Sequence, residues 1–369
     1  MKTFKKNLVY CLCIVSVMAV CFITSSNISY AGDKTTFRFS AYYPGHYPVF
    51  KCGWSPWQEM VTNESNGNLV FKNYLNGVLH SAKHGFRALS SGVVDLTTAY
   101  PGYQPASFNL SMVNDLPFIF PSVECHIGPL IMENLYAKYF KKEYEKLGVY
   151  LGCWVNTSAY NLMSKKPVRS LEELQGMKVR SPSGMCSEFL TALGAVPVMM
   201  QSAETYTGLQ SGVVDAVLYP DGSSVAYKLY EVAKYSTGLN IMHMGIPYGL
   251  NKKFFDSLDP EMQDFIYRKL RQASQMASHA YDIDDIEARK IMLENGVEII
   301  TLSDIEMAKI HKAVEPVYEA FIAKNEAKGL PVKELLADIK NLGEKYNKLS
   351  YEEAFKLVTE NPVRDIITY

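Results

Sequence analysis

The sequence lacks the short motifs that mark common catalytic and nucleotide-binding sites. It contains no Gly-x-Ser-x-Gly elbow, no His-Glu-x-x-His, no phosphate-binding P-loop and no Gly-x-Gly-x-x-Gly. His80 and His84 stand four residues apart, but no third ligand is evident, so we interpret them as a solvated pair. The sequence therefore predicts no catalytic residue, no metal site and no cofactor, and the protein is not expected to be an enzyme.

An excess of charge of one sign is also missing. Lysine and arginine number 37 against 38 aspartate and glutamate, and no basic stretch stands out. Because nucleic-acid binding depends on clustered Lys and Arg, we exclude nucleic acid as a partner. Beyond the first thirty residues, no segment is apolar enough to predict a membrane span. The remaining length favours two domains.

The one long apolar run belongs to the N-terminus. Residues 8–24 are almost wholly apolar, follow three lysines and lead to Ser29-Tyr30-Ala31. A positive start, an apolar run and a small-residue exit are typical of a cleavable secretory signal. We therefore predict cleavage after Ala31 and export to the periplasm. The alternative is a retained membrane anchor, because the run is near the lower limit for a span; a lipoprotein is disfavoured because Val20 precedes Cys21.

Cysteine is scarce in the predicted mature chain. Cys52, Cys125, Cys153 and Cys186 remain, and none lies in a Cys-x-x-Cys pair, so zinc and thioredoxin-like chemistry have no support. In an oxidising compartment the four could pair in three ways. Buried free thiols are an equally good interpretation, and the spacing does not choose between them.

Strand and helix signals alternate from the start of the predicted mature chain. Residues 36–42 alternate like a strand, a helix is predicted from about residue 48 to residue 67, and residues 69–74 form the next strand signal. This order is typical of an α/β layer fold.

A short internal sequence repeat suggests that the protein has two lobes of similar construction. Residues 88–96 (ALSSGVVDL) resemble residues 208–216 (GLQSGVVDA). In each copy a short helix ends at a glycine suited to the left-handed position, and a buried strand follows. Asp95 and Asp215 occupy equivalent places, which favours a structural role for both.

The second half of the chain predicts a crossover, a return and a long helix. Residues 152–156 could cross into the second lobe, and residues 170–173 read as a capping box that opens a short helix. Residues 248–252 look like a strand back in the first lobe. Between Pro260 and Gly296 there is neither Gly nor Pro, so a helix of roughly 50 Å would lie across both lobes.

Several motifs together resemble a known family. They are residues 167–180 (PVRSLEELQGMKVR), 192–195 (ALGA) and 204–215 (ETYTGLQSGVVD), with 92–95 (GVVD) and 116–120 (LPFIF) in the first lobe. The ordered set is similar to the DctP-type substrate-binding subunit of tripartite ATP-independent periplasmic (TRAP) transporters. The resemblance implies a two-lobed α/β periplasmic binding protein fold whose hinge closes over a small organic carboxylate. It also implies delivery to the membrane subunits of a TRAP transporter.

The resemblance implies a role for Arg180. In the family, the arginine at this place pairs with the substrate carboxylate. A guanidinium at the C-terminal end of a strand also points into the crevice where open α/β sheets bind ligands. Its planar fork holds a carboxylate in a way that Lys does not reproduce. A surface salt bridge is the structural alternative for Arg180.

Two departures from the family pattern bear on the ligand. Many relatives carry an asparagine where Tyr219 stands, and many carry a second arginine or a polar residue early in the second lobe, where this chain has residues 154–161 without Arg. One cation among aromatic neighbours suits a monocarboxylate with an apolar or aromatic body better than a dicarboxylate or sialic acid. Further candidate contacts, mostly in loops at strand ends, are Tyr160, Asn161, His46, Tyr47, Tyr100 and Tyr103.

The predicted organisation has five segments. They are a signal peptide (1–31), the first part of lobe I (32–152), the first part of lobe II (153–240), the return to lobe I (241–275), and the spanning helix with C-terminal helices packing on both lobes (276–369). Two other functions fit the same sequence: a secreted enzyme acting on a small organic acid, and a ligand-sensing receptor.

Overall fold

A computed structural model of the chain describes residues 34–120 and 124–369, so the predicted signal peptide lies outside the described residues. The strands are β1 (Thr35–Ser40), β2 (Leu69–Tyr74), β3 (Leu96–Thr98), β4 (Val149–Ser164), β5 (Lys178–Ser181), β6 (Val196–Met199), β7 (Ala216–Pro220), β8 (Tyr235–Gly238), β9 (His243–Asn251) and β10 (Glu298–Thr301). The α-helices are α1 (Ser55–Glu64), α2 (Gly85–Ser90), α3 (Ile127–Leu135), α4 (Lys141–Glu145), α5 (Gly184–Ala192), α6 (Thr205–Ser211), α7 (Asp221–Ala226), α8 (Lys252–Asp256), α9 (Pro260–Glu294), α10 (Asp304–Glu326), α11 (Val332–Tyr346) and α12 (Tyr351–Glu360).

The strands form two sheets joined by β4. The first sheet has the order β2-β1-β3-β9-β4, with β1, β2 and β3 parallel and β9 antiparallel to its neighbours. In the second sheet β4 lies next to β7, followed by β5 and β6, while β8 and β10 lie on its other side. We call the part built on the first sheet lobe I and the part built on the second sheet lobe II. The predicted α/β fold with two lobes is confirmed.

The strand β4 passes from one lobe into the other. It is 16 residues long, and every one of its residues is buried. Residues 149–159 pair with β9, and residues 160–164 pair with β7. The pairing with β9 is irregular between Asn156 and Ala159, just before the change of partner. The predicted crossover strand is therefore longer than residues 152–156, and its irregular part lies at the junction of the lobes.

The long helix α9 also contacts both lobes, as the sequence predicted. Asp259 accepts a hydrogen bond from the Met262 backbone N–H at 2.8 Å, which caps the start of the helix. Near that end, the Trp57 indole of lobe I donates to the Lys269 carbonyl at 2.7 Å. Further along, the Asp285 carboxylate accepts the Gly222 backbone N–H of lobe II at 3.0 Å.

A buried ion pair fixes the middle of α9. The Arg271 guanidinium lies 2.9 Å from the Glu133 carboxylate of α3, and both side chains are almost wholly buried. Arg271 also donates to the Gly152 carbonyl, and Glu133 accepts the Trp154 backbone N–H at 3.0 Å. The pair therefore joins α9, α3 and the crossover strand.

The internal sequence repeat has the same structure in both copies. Gly92 and Gly212 have φ values of 75° and 78°, in the left-handed region that favours glycine. The Asp95 carboxylate accepts the Arg38 backbone N–H at 2.8 Å, and Asp215 accepts the Lys178 backbone N–H at 3.0 Å. Each aspartate thus ties the glycine turn to the neighbouring strand, which agrees with the structural role predicted for it.

Some local predictions differ from the structure. The capping box at residues 170–173 does not form, because this segment is a 3₁₀ turn and Glu173 accepts the Arg169 backbone N–H instead. The strand β10, which pairs with β8, was not predicted. The predicted boundary at residues 275/276 falls inside α9, since that helix begins at Pro260.

Other open questions of the sequence now have structural answers. All four described cysteines are free thiols, and three of them are buried. The prediction of a solvated pair is wrong for His80, which is buried and contacts Thr97 at 3.1 Å, whereas the exposed His84 contacts Ser81 at 2.9 Å. None of the helices in residues 34–120 and 124–369 combines the length and apolar composition of a membrane span.

Candidate ligand-binding site

Arg180 is a buried cation at the end of β5. Its side chain is 2 % exposed. The Nε–H donates to the Met200 carbonyl at 3.0 Å and Nη1 donates to the Leu218 carbonyl at 3.3 Å. Within residues 34–120 and 124–369, no carboxylate forms an ion pair with it. These two backbone contacts orient the guanidinium and leave further N–H donors for another acceptor.

Tyrosines of lobe II surround this guanidinium. The Tyr219 ring of β7 has its centroid 4.9 Å from the guanidinium carbon, in a cation–π arrangement. The ring of Tyr160, on β4, lies 6.1 Å from that of Tyr219. The Tyr227 ring, which follows α7, stacks on Tyr219 at 5.9 Å. Two strands and the end of one helix thus bring aromatic rings around one charge.

Lobe I adds tyrosines from the loops that follow β1 and β3. The Tyr47 ring lies 6.0 Å from Tyr227, and the Tyr103 ring lies 5.2 Å from that of Tyr100. Burial raises the pKa of Tyr103 to about 12, although the nearby Arg180 opposes this shift. Tyr103 therefore shares the environment of Arg180 while belonging to the other lobe.

Three of the tyrosines near Arg180, namely Tyr160, Tyr227 and Tyr103, are neutral at physiological pH. Burial raises the pKa of Tyr160 well above its ordinary value, and burial likewise raises the pKa of Tyr227. With Tyr103 also neutral, these rings contribute apolar faces and hydroxyl groups but no negative charge.

Hydrogen bonds join the lobes on either side of this cluster. The Tyr47 hydroxyl lies 2.5 Å from Ser223 Oγ of α7. The Ser183 hydroxyl, at the start of α5, donates to Asp115 Oδ2 at 3.0 Å, and the Tyr100 hydroxyl donates to the same carboxylate oxygen. The structure thus describes the two lobes in contact across the crevice.

The remaining predicted residues have other surroundings. The Asn161 amide donates to Asp221 Oδ2 at 3.2 Å and accepts the Asn240 backbone N–H at 3.1 Å, so both ends of this amide are in use. His46 is exposed in the loop after β1. The ligand contacts predicted for Asn161 and His46 stay predictions.

Sequence reasoning missed three tyrosines of the cluster. Burial raises the pKa of Tyr42 well above its usual range, and Tyr103, Tyr219, Tyr227 and Tyr281 add to the shift. Tyr42 follows β1 and Tyr227 follows α7, so a search of strand and helix ends could have found them. Tyr281 lies on the long helix α9, where no local signal separates it from a core residue.

Comparisons with known proteins identify the family of the chain. Residues 39–325 match the model of the family described as bacterial extracellular solute-binding protein, family 7 (DctP). The chain belongs to this family. Its members are solute-binding proteins rather than enzymes, and the TRAP resemblance stated from the motifs is confirmed.

Individual relatives show how far the similarity extends. The C4-dicarboxylate-binding periplasmic protein of Rhodobacter capsulatus is 27% identical over 278 residues, which cover 72% of this chain and 80% of the relative. A marine-metagenome TRAP solute-binding protein specific for aromatic acids, in complex with 3-hydroxybenzoate, superposes with a TM-score of 0.80 at 25% identity, covering 86% of this chain and 100% of that one. A TRAP protein from Sulfitobacter with bound β-D-galacturonate gives a TM-score of 0.73 at 25% identity, covering 83% and 100%.

Proposed function

We propose that this protein captures a monocarboxylate with an apolar or aromatic body, with Arg180 as the carboxylate-binding residue. The observation that carries the proposal is the buried Arg180 guanidinium, which has no carboxylate partner among the described residues. A buried charge without a counter-charge is costly, by about 3–5 kcal/mol when a partner is removed. A ligand carboxylate bound in the guanidinium plane offsets that cost.

The lining around Arg180 supports an apolar or aromatic ligand body. Tyr219 occupies one face of the guanidinium, and Tyr160, Tyr227 and Tyr103 extend the aromatic surface over both lobes. Aromatic rings pack favourably on one another when offset or tilted. A second carboxylate would meet neutral phenols here rather than another cation.

Relatives support the ligand class to different degrees. The marine-metagenome protein that binds 3-hydroxybenzoate favours an aromatic acid. The Sulfitobacter protein has the same identity to this chain but binds galacturonate, so sugar acids are the competing class. The tyrosines around Arg180 decide our choice between them.

The ligand is released to a membrane transporter in this proposal. Closure of the lobes through the junction in β4 and β9 retains the ligand, and the closed form is delivered to the membrane subunits of a TRAP transporter. The N-terminal signal pattern supports export to the periplasm, where such delivery takes place.

A thermal-shift screen of the mature protein tests the ligand class. The panel contains aromatic, branched keto, hydroxy, dicarboxylic and sugar acids. A ligand at about 100 times its dissociation constant stabilises the fold by roughly 2.7 kcal/mol. We expect aromatic or branched monocarboxylates to raise the unfolding temperature most. Stabilisation by dicarboxylates or sugar acids, with none by aromatic acids, would contradict the proposed class.

A turnover control accompanies the screen. The best ligand is incubated with the protein and analysed by mass spectrometry. We expect the ligand to be recovered unchanged, whereas conversion to a product would favour a secreted enzyme.

A further inference from the structure

A cluster of two histidines and one aspartate, none of which contacts Arg180 in the structure, lies where three helices meet. His126 lies at the start of α3, His279 and Asp282 lie one turn apart on α9, and the Tyr351 ring at the start of α12 stacks on His279 at 3.9 Å. One potential ligand atom from each of the first three residues lies within 4.8 Å of the other two. His126 is separated from the other two by more than 150 residues in sequence, so the fold brings them together.

The converging atoms have no hydrogen-bond partner. His126 Nδ1, His279 Nδ1 and Asp282 Oδ2 are all buried and make no hydrogen bond, although the carboxylate forms long ion pairs with both imidazoles when these are protonated. The Asp282 oxygen lies 3.5 Å from His279 Nδ1 and 3.9 Å from His126 Nδ1, distances too long for hydrogen bonds. Buried polar atoms are rarely left unpaired, because losing a partner costs about 1–3 kcal/mol each.

The surrounding contacts orient these atoms toward one another. His126 Nε2 lies 2.9 Å from the Leu349 carbonyl, which favours a proton on Nε2 and leaves the Nδ1 lone pair free. Asp282 Oδ1 accepts the Cys125 backbone N–H at 3.1 Å, which leaves Oδ2 for another partner. A second nitrogen held by a backbone carbonyl is the arrangement in which histidines bind metals.

We propose that His126, His279 and Asp282 form a binding site for a divalent transition metal ion of the zinc class. Two imidazole nitrogens and one carboxylate oxygen suit Zn²⁺ better than Ca²⁺ or Mg²⁺, which prefer oxygen ligands. A tetrahedral zinc ion needs ligand atoms roughly 3.3–3.5 Å apart, so small rotations of the imidazoles complete the geometry. His279 is 30% exposed, which provides an entry path and room for a water as the fourth ligand.

The proposed ion has a structural consequence. It joins α3 of lobe I to the helix α9 that spans both lobes, close to the junction in β4, where Asn156 N–H donates to Ser278 Oγ at 3.0 Å. Binding to the folded state alone stabilises the protein in proportion to the free ion concentration. We therefore expect the ion to raise the unfolding temperature of the protein.

Calorimetric titration of the mature protein with Zn²⁺ tests the site. The protein is prepared without a polyhistidine tag and dialysed against a chelator, and Mg²⁺ is titrated in parallel. We expect one Zn²⁺ per chain and no comparable binding of Mg²⁺. The variants are His279→Ala, which keeps a good helix former on α9, and Asp282→Asn, which keeps the side-chain size. The exposed His84→Ala is the matched control.

Changing a residue that supports the ligands of a metal site typically lowers metal affinity by roughly 10- to 100-fold. Removing a residue that binds the ion directly should lower the affinity by more. We expect His279→Ala and Asp282→Asn to weaken Zn²⁺ binding more than about 100-fold, with His84→Ala and Arg180→Ala unchanged. Circular dichroism checks that each variant is folded. No stoichiometric binding by the unaltered protein, or equal affinity in a folded His279→Ala protein, would overturn the proposal.

Discussion

The guanidinium of Arg180 lies 4.9 Å from the centroid of the Tyr219 ring, and both side chains are at most 5 % exposed. The ring occupies a face of the guanidinium, whereas the N–H donors lie in its plane. A carboxylate can therefore bind in the plane while the ring excludes water from the face. The family resemblance implies an asparagine at this place in many relatives, which makes Tyr219 the position to test for ligand preference.

Replacing the ring of Tyr219 should change ligand preference. We expect Tyr219→Asn to weaken binding of an aromatic monocarboxylate roughly three- to tenfold, because an aromatic contact contributes about 0.5–1.5 kcal/mol. Binding of hydroxylated acids should weaken less or improve. Isothermal titration with one ligand of each kind measures the ratio. Tyr219→Phe keeps the ring and should preserve the ratio of the two affinities. An equal loss of affinity for both ligands in Tyr219→Asn would contradict a role for Tyr219 in specificity.

The hydrogen bond between Tyr47 and Ser223 should contribute to lobe closure. It joins the two lobes at 2.5 Å, so its removal destabilises the closed form without touching Arg180. We expect Tyr47→Phe to weaken ligand binding by about fivefold, equivalent to ~1 kcal/mol. Tyr206→Phe, which removes an exposed hydrogen bond to Glu231 within lobe II, is the control. Identical affinities for the two variants would show that this contact does not favour closure.

Asp115 should make stability depend on pH. Burial raises the pKa of this carboxyl from 3.8 to about 6, although hydrogen bonds with Tyr100, Ser183 and Asn114 oppose the shift. Between these pH values the folded state binds more protons than the unfolded state, so the Asp115 contribution to stability falls as pH rises. The full change is about 3 kcal/mol.

Comparison with Asp115→Asn isolates this effect. We expect the free energy of unfolding of the variant, relative to the unaltered protein, to rise from pH 4 to pH 6 and then to level off. Urea unfolding at a series of pH values measures it, and other titrating groups cancel because they are common to both proteins. A difference that stays constant with pH would contradict the raised pKa.

The buried pair of Arg271 and Glu133 should be costly to break. Arg271→Met leaves the Glu133 carboxylate buried without its counter-charge, which typically costs about 3–5 kcal/mol. The exposed pair of Arg169 and Glu298 gives the control, because Arg169→Met should cost under about 1 kcal/mol. Denaturant unfolding measures both. Adding Glu133→Gln to Arg271→Met should recover part of the loss; a loss in Arg271→Met no larger than in the control would refute the account.

Much of the fold was predictable because local patterns determine it. The internal sequence repeat predicted left-handed turns at Gly92 and Gly212 and structural roles for Asp95 and Asp215. These predictions succeed because glycine φ values and strand starts depend on neighbouring residues. The absence of Gly and Pro after Pro260 predicted α9. By contrast, the strand β10 is short and gains its stability from pairing with β8, a contact that sequence periodicity does not encode.

The arrangement of side chains around Arg180 was predictable where they lie near strand ends. Arg180 and Tyr219 lie near the ends of neighbouring strands, so the topology brings them together. Tyr281 lies on a long helix, and its place in the tyrosine cluster depends on how α9 packs. The cluster of His126, His279 and Asp282 gave no signal in sequence for the same reason, because it forms between helices distant along the chain.

The most direct test of the central claim is calorimetric titration of Arg180 variants with the best monocarboxylate from the screen. We predict that Arg180→Ala weakens binding by roughly 30-fold or more, since an unpaired buried carboxylate costs on the order of 2–5 kcal/mol. The affinity of Arg180→Lys should lie between those of the unaltered protein and Arg180→Ala, because an ammonium keeps the charge but does not reproduce the bidentate contact. The exposed Arg169→Ala should bind like the unaltered protein. An unchanged affinity in a folded Arg180→Ala protein would remove Arg180 from the site and contradict the proposed function.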